Sequence, residues 1–138
     1  MTQEREKCIF CRIYDGKEPT DSLYQDDLYM VFPDIKPAAE HHYLVITKQH
    51  IPNAKHLKSA EDQVIVSDLV RIGKQVLQER GGNLSDAIFG FHWPPFNSIS
   101  HLHLHVISPA NRLSFISRAI FRPDSWWFVT PEYVSSRL

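Results

Sequence analysis

Only two cysteines and five glycines occur among the 138 residues, and each scarcity excludes something. Two cysteines cannot build the disulfide lattice of a small secreted domain. The chain has no G-x-x-x-x-G-K-[ST] and no G-x-G-x-x-G after a strand, so a nucleotide site built on a glycine-rich phosphate cradle is not supported. No charge of one sign dominates: fifteen Lys and Arg stand against sixteen Asp and Glu, a formal net charge of -1. The whole-protein field therefore cannot hold a nucleic-acid backbone by counterion release, and any nucleic acid must be held locally. No run approaches bilayer-spanning length, and the polar start Met1 to Lys7 has no apolar signal region. The chain reads as cytoplasmic, with the nucleus as a second compartment and no membrane attachment.

With 43% hydrophobic and 22% charged residues, the composition is that of a folded domain. No repeat, low-complexity tract or linker divides it, so residues 1–138 read as one domain. Tyr29 to Phe32 and His42 to Thr47 are β-branched or aromatic runs joined by a Pro-bearing turn, which predicts an antiparallel hairpin. From Ser59 to Arg80 apolar residues recur at helical spacing, with Ser59 as N-cap and Gly81-Gly82-Asn83 as stop. Ile88 to Phe91 and Ser100 to Ser108 read as a second hairpin around Trp93-Pro94-Pro95-Phe96-Asn97. Leu113, Ile116 and Ile120 suggest a short helix ended by Pro123, and Trp126 to Thr130 an extended segment. The order predicts an α+β fold: one antiparallel sheet, one long helix and a short C-terminal helix.

Eight histidines are the unusual feature, and six fall in two clusters: His41, His42 and His50, then His101, His103 and His105. In His101-Leu102-His103-Leu104-His105-Val106-Ile107, a strand would send the three imidazoles to one face and the leucines and Val106 to the other. Attachment points roughly 6.5 to 7 Å apart allow adjacent rings to converge on one phosphate-sized group. Solvent-facing histidines and a metal chelate are the alternatives. Cys8-Ile9-Phe10-Cys11 has a spacing that suits metal ligation or redox chemistry, although no βαβ context follows for a redox pair.

The pattern His-φ-His-φ-His-φ-φ resembles the histidine triad family. So do Cys8 to Cys11, Phe32-Pro33-Asp34-Ile35-Lys36-Pro37, His42-Tyr43-Leu44-Val45-Ile46 and His50-Ile51, in the family's order. Gly90-Phe91-His92, Pro94-Pro95-Phe96 and Ser98-Ile99-Ser100 look most like the histidine triad nucleotide-binding protein 3 branch, with similarity also to the aprataxin branch. The resemblance implies a single histidine triad domain that hydrolyses adenosine 5'-phosphoramidates or acyl-adenylates to AMP. His103 would be the nucleophile forming a nucleotidyl-histidine, His105 the phosphate contact and leaving-group assistant, and His42 a group orienting the triad. Ser98 would donate to the phosphate and Asp34 would accept from the ribose hydroxyls. Ile9, Phe10, Ile13, Phe32 and Ile35 would line the base slot, and Asn97, in the loop ahead of the triad, would also contact the nucleotide.

The family's zinc-bearing members also imply a structural zinc held by Cys8, Cys11, His50 and His101, which would commit His101 to structure rather than chemistry. The partners implied are purine nucleoside monophosphate derivatives and a second copy in a homodimer; nucleic acid is not expected. Two other functions stay open. One is deadenylation of nucleic-acid 5' ends, with Arg112, Arg118 and Arg122 along a strand path. The other is a non-catalytic, zinc-stabilised scaffold with Trp126 and Trp127 as interface anchors.

Overall fold

The computed structural model describes residues 3–138. Its elements run α1 (Gln3–Lys7), α2 (Ile9–Tyr14), β1 (Tyr24–Gln25), β2 (Tyr29–Pro33), β3 (His41–Thr47), α3 (Gln63–Glu79), β4 (Ile88–His92), β5 (His103–Ser108), α4 (Phe115–Ile120), β6 (Phe128–Val129) and α5 (Pro131–Ser136). The strands form one antiparallel sheet in the order β1-β2-β3-β5-β4-β6. It is the α+β architecture expected, with a long helix and a short helix near the end. No helix among the described residues is long and apolar enough to cross a membrane.

Period-two alternation sorts the strand residues onto two faces. Val31, Tyr43, Val45, Leu104 and Val106 point to one face, where Val66, Leu69, Ile72, Val76 and Leu77 of α3 cover them. The approach is close: a Cβ on Gly73 would lie 2.8 Å from Val106 Cγ2, so the helix rests on the sheet through a residue without a side chain. The opposite face carries His42, Leu44 and Ile46 of β3 against His103, His105 and Ile107 of β5. The register pairs His42 with Ile107, Leu44 with His105 and Ile46 with His103. Phe10 of α2 covers one end of this face with Met30, Phe32, Leu44 and Ile46. Phe121, just after α4, covers the other end with Ile107, Leu113 and Phe128.

Two boundaries differ from the sequence expectation. Ser59 does not cap the long helix: it closes a capping box on the 3-10 turn Ala60–Asp62, and α3 begins at Gln63. β5 begins at His103 rather than at Ser100, because the Leu102 amide donates to the Ile51 carbonyl, 2.7 Å away, ahead of the β3–β5 ladder. His101 thus sits just outside the strand, on the segment that meets the Cys8–Cys11 turn.

Candidate active site and metal centre

The hydrogen bonds around the histidines assign their tautomers, because a backbone carbonyl only accepts and a backbone amide only donates. The Ala38 amide donates to His42 Nδ1 at 2.9 Å. His42 Nε2 then carries the ring proton and donates to His105 Nδ1, also at 2.9 Å. His105 is left with its proton on Nε2, a buried donor that has no partner among the described residues. His103 runs the other way: its Nδ1–H donates to the His101 carbonyl at 2.7 Å, so the Nε2 lone pair is free. The two rings lie 5.0 Å apart, one presenting a lone pair and the other a proton.

Burial keeps these rings neutral. It pushes His103 below the ordinary imidazole range, partly offset by the bond to the His101 carbonyl. His105 is pushed well below that range by burial and by the imidazoles of His103 and His42. His42 is taken down to about 4, again chiefly by burial, with Asp34 opposing.

Asp34 lies 3.3 Å from His42 Nε2, and its other oxygen accepts from the Lys36 amide at 2.9 Å in a turn. The remaining site residues fall into two groups. Phe10 stands edge-on to His103 at 5.1 Å and to Phe32 at 5.4 Å, with Ile13 packed beside them. Asn97 lines a small cavity with His101 and His103 and donates to the Ile99 carbonyl. Ile9 is 40% and Ile35 is 93% exposed, so neither is buried in the Phe10 cluster. Ser98 is exposed on the β4–β5 loop, and no hydrogen bond joins it to the histidines among the described residues.

Sequence reasoning assigned no role to His92, Phe121 or Phe128. The His92 ring lies 5.0 Å from that of His105, and its Nε2–H donates to the Ile120 carbonyl at 3.1 Å. Phe121 packs on both His42 and His105, at 5.2 and 5.1 Å. One signal was available for His92: it shares strand parity with Ile88 and Gly90, whose partners in β5 are Ile107 and His105.

A second cluster stands beside the first. Ligand atoms of Cys8, Cys11, His50 and His101 all lie within 4.8 Å of one another. His101 Nδ1 is 3.2 Å from Cys8 Sγ and 3.4 Å from Cys11 Sγ, while His50 Nδ1 is 3.4 Å from Cys11 Sγ. A tetrahedral zinc with Zn–S of about 2.3 Å and Zn–N of about 2.0–2.1 Å has edges of roughly 3.3–3.8 Å, so the four donors fit such an ion. His101 Nε2–H donates to the Thr47 carbonyl at 2.7 Å, which turns the Nδ1 lone pair toward the thiols. Burial and the neighbouring Cys8 push the Cys11 thiol up to about 12, so a cation bound here would have to displace its proton. Asp34, His42 and His105 also come together, but His42 Nε2 and His105 Nδ1 already share a hydrogen bond, which makes them a relay rather than a chelate.

A histidine-lined antiparallel sheet with a Cys2His2 cluster at its margin places this molecule in a known class: the chain belongs to the histidine triad superfamily. The family model described as scavenger mRNA decapping enzyme C-term binding matches residues 7–121. Within the superfamily, the chain is 45% identical over 133 residues to adenosine 5'-monophosphoramidase HINT3 of Xenopus tropicalis, covering 95% of this chain and 86% of that one. It is 45% identical over 106 residues to the bifunctional adenosine 5'-phosphosulfate phosphorylase/adenylylsulfatase HINT4 of Arabidopsis thaliana, covering 76% and 72%. An aprataxin-like protein of Drosophila melanogaster is 31% identical over 114 residues, 83% of this chain but 16% of its own length. Among solved structures, a zinc-bound histidine triad family protein from Mycobacterium smegmatis superposes with a TM-score of 0.63 at 25% identity, covering 80% of this chain and 82% of that one.

Proposed function

We propose that the protein hydrolyses adenosine 5'-phosphoramidates and acyl-adenylates to AMP through a covalent nucleotidyl-His103 intermediate. The observation that carries this reading is the opposed polarity of two neighbouring rings. His103 offers an Nε2 lone pair, and His105 an unpartnered Nε2–H at the end of the Ala38–His42 relay.

In the first step His103 Nε2 attacks the α-phosphorus, forming an N–P bond as the bond from phosphorus to the leaving nitrogen or acyl oxygen breaks. The His103 ring becomes cationic, and its Nδ1–H bond to the His101 carbonyl stabilises that charge. A departing amine needs a proton: substrate binding draws one from solvent onto His105, and the resulting imidazolium gives up its Nε2–H to the leaving nitrogen and returns to a neutral ring. Anionic phosphate oxygens beside His105 offset the cost that burial places on its protonated form, so the acid is populated in the complex and suppressed in the free protein. Water then attacks phosphorus, the P–Nε2 bond breaks, AMP leaves, and the proton released by water returns to His105.

In this reading Phe10, Phe32 and Ile13 form one wall of the base slot, and bound nucleotide covers the exposed Ile9 and Ile35. Asp34 accepts from the ribose, and Ser98 reaches the phosphate only with substrate present. Structural zinc at Cys8, Cys11, His50 and His101 ties α2 to the segments flanking β3 and β5; the fit of the four donors and the zinc-bound relative support it. The expected assembly is a homodimer, checked by sedimentation.

The test is a substrate panel. Wild type should release AMP from adenosine 5'-phosphoramidate, and His103→Asn should lose turnover by several orders of magnitude while still binding AMP. Faster processing of an adenylated DNA 5' end than of the small phosphoramidate at physiological salt would replace this reading by deadenylation. Absence of any turnover would leave the scaffold.

A further inference from the structure

Beyond the histidines, α5 and the turn before β6 gather aromatics around a separate cavity of about 420 Å³, lined by Trp93, Asp124, Ser125, Trp126, Val129 and Tyr133. Trp93 and Tyr133 meet at 5.7 Å with an interplanar angle of 76°, which makes two walls at nearly a right angle. Trp126 is 86% exposed, a large apolar surface left uncovered. Its turn is pinned: the Ser125 amide donates to the Phe128 carbonyl and the Phe128 amide donates to Ser125 Oγ at 3.1 Å. Asp124 adopts a φ of 62°, a left-handed conformation that a non-glycine residue enters at some cost. Its carboxylate has no hydrogen bond or ion pair among the described residues.

We propose that Trp93, Trp126, Tyr133 and Asp124 form an aromatic cage that binds a quaternary ammonium group. Aromatic faces attract a cation within about 6 Å of their centroids, and one carboxylate adds charge complementarity. This chain already shows the effect, since the Arg137 guanidinium lies 4.7 Å over the Trp93 ring. Arg137 lines a different cavity, with Lys55 and Lys58, and is not part of the cage lining. The polar inventory selects a methylated cation over a primary amine. A primary ammonium brings three N–H donors, whereas the cage side chains offer only the Asp124 carboxylate and the Tyr133 hydroxyl as acceptors, because Ser125 Oγ is engaged with Phe128. A quaternary ammonium needs no hydrogen bonds and fills the space with methyl groups.

The test uses the full chain and reads tryptophan fluorescence and calorimetry with three probes: choline, a trimethyl-lysine peptide, and 3,3-dimethylbutanol, the uncharged isostere of choline. The two cations should bind at least tenfold more tightly than the isostere. Trp126→Ala, at a largely exposed position, and Asp124→Asn should each weaken cation binding tenfold or more without changing turnover of adenosine phosphoramidate. Tighter binding of the peptide than of choline identifies a methylated protein as the source; the reverse ranking identifies a choline-type metabolite. Equal affinity for isostere and cations, or indifference to both substitutions, overturns the cage.

Discussion

Gly90 faces His105 across the β4–β5 ladder, and adding one methyl there should reach the active site through a third residue. A Cβ at Gly90 would stand 2.4 and 2.6 Å from ring carbons of Phe128, against the 3.5–4.0 Å of an ordinary carbon contact. The ring would have to retreat by at least about 1 Å. It has little room: Phe128 is fully buried, and its ring lies 4.9 Å from His92, 5.5 Å from Phe121 and 5.9 Å from His105. Overpacking of this kind costs about 1–3 kcal/mol, equivalent to a fall in melting temperature of roughly 3–5 °C per kcal/mol for a chain this size. Displacing the rings around His105 should also cost of the order of 10²-fold in kcat, as misplacements near 1 Å do. Thermal melts and steady-state AMP release on Gly90→Ala measure both. Phe128→Leu supplies the control, since a smaller side chain should absorb the methyl and shrink the cost of Gly90→Ala in the double variant. Unchanged melting and turnover in Gly90→Ala, or an identical cost in both backgrounds, would refute the coupling.

Three further outcomes follow from the same geometry. Purified protein should carry one zinc per chain by elemental analysis, and Cys11→Ser should lose both the metal and several degrees of melting temperature; metal content unchanged in that variant would contradict the four-ligand site. Stability should fall on acidification, because His42 is held at about 4 in the folded chain against an ordinary 6.5. The unfolded chain then binds the extra proton first, so the contribution is complete above pH 6.5, declines between 6.5 and 4, and is of the order of 1–3 kcal/mol. Urea unfolding at pH 7 and pH 5 should show a smaller pH dependence for His42→Gln than for wild type. Phe121→Ala, which uncovers His42 and His105, should cost about 3–5 kcal/mol as a buried aromatic deletion, seen as a lower urea midpoint; an unchanged midpoint would show that the ring bears no load.

Strand alternation and helical spacing made the two hairpins and the long helix legible, since each rests on a strong local pattern. The boundaries that moved did so for tertiary reasons. Ser59 found a nearer partner in Asp62, and His101 left the ladder where Leu102 bonds to Ile51. Short elements carried too little pattern to read: α2, the edge strand β1, and α5, which starts at Pro131 behind a Thr130 cap. In the site, His101, His103 and His105 were legible from their spacing and Cys8 and Cys11 from theirs. The direction of the His42–His105 hydrogen bond was not, because it depends on the Ala38 amide from a loop. Phe121 and Phe128 join the site only because the tail folds back across the sheet.

The central claim is that His103 Nε2 makes a bond to phosphorus. Mixing wild type with adenosine 5'-phosphoramidate on a millisecond scale, quenching in alkali and mapping peptides by mass spectrometry measures it directly. The account predicts an increase of one adenylyl group on the peptide spanning His101 to His105, localised to His103 and decaying as AMP appears. Adenylylation of a different residue, or undiminished AMP release by His103→Ala, would contradict it.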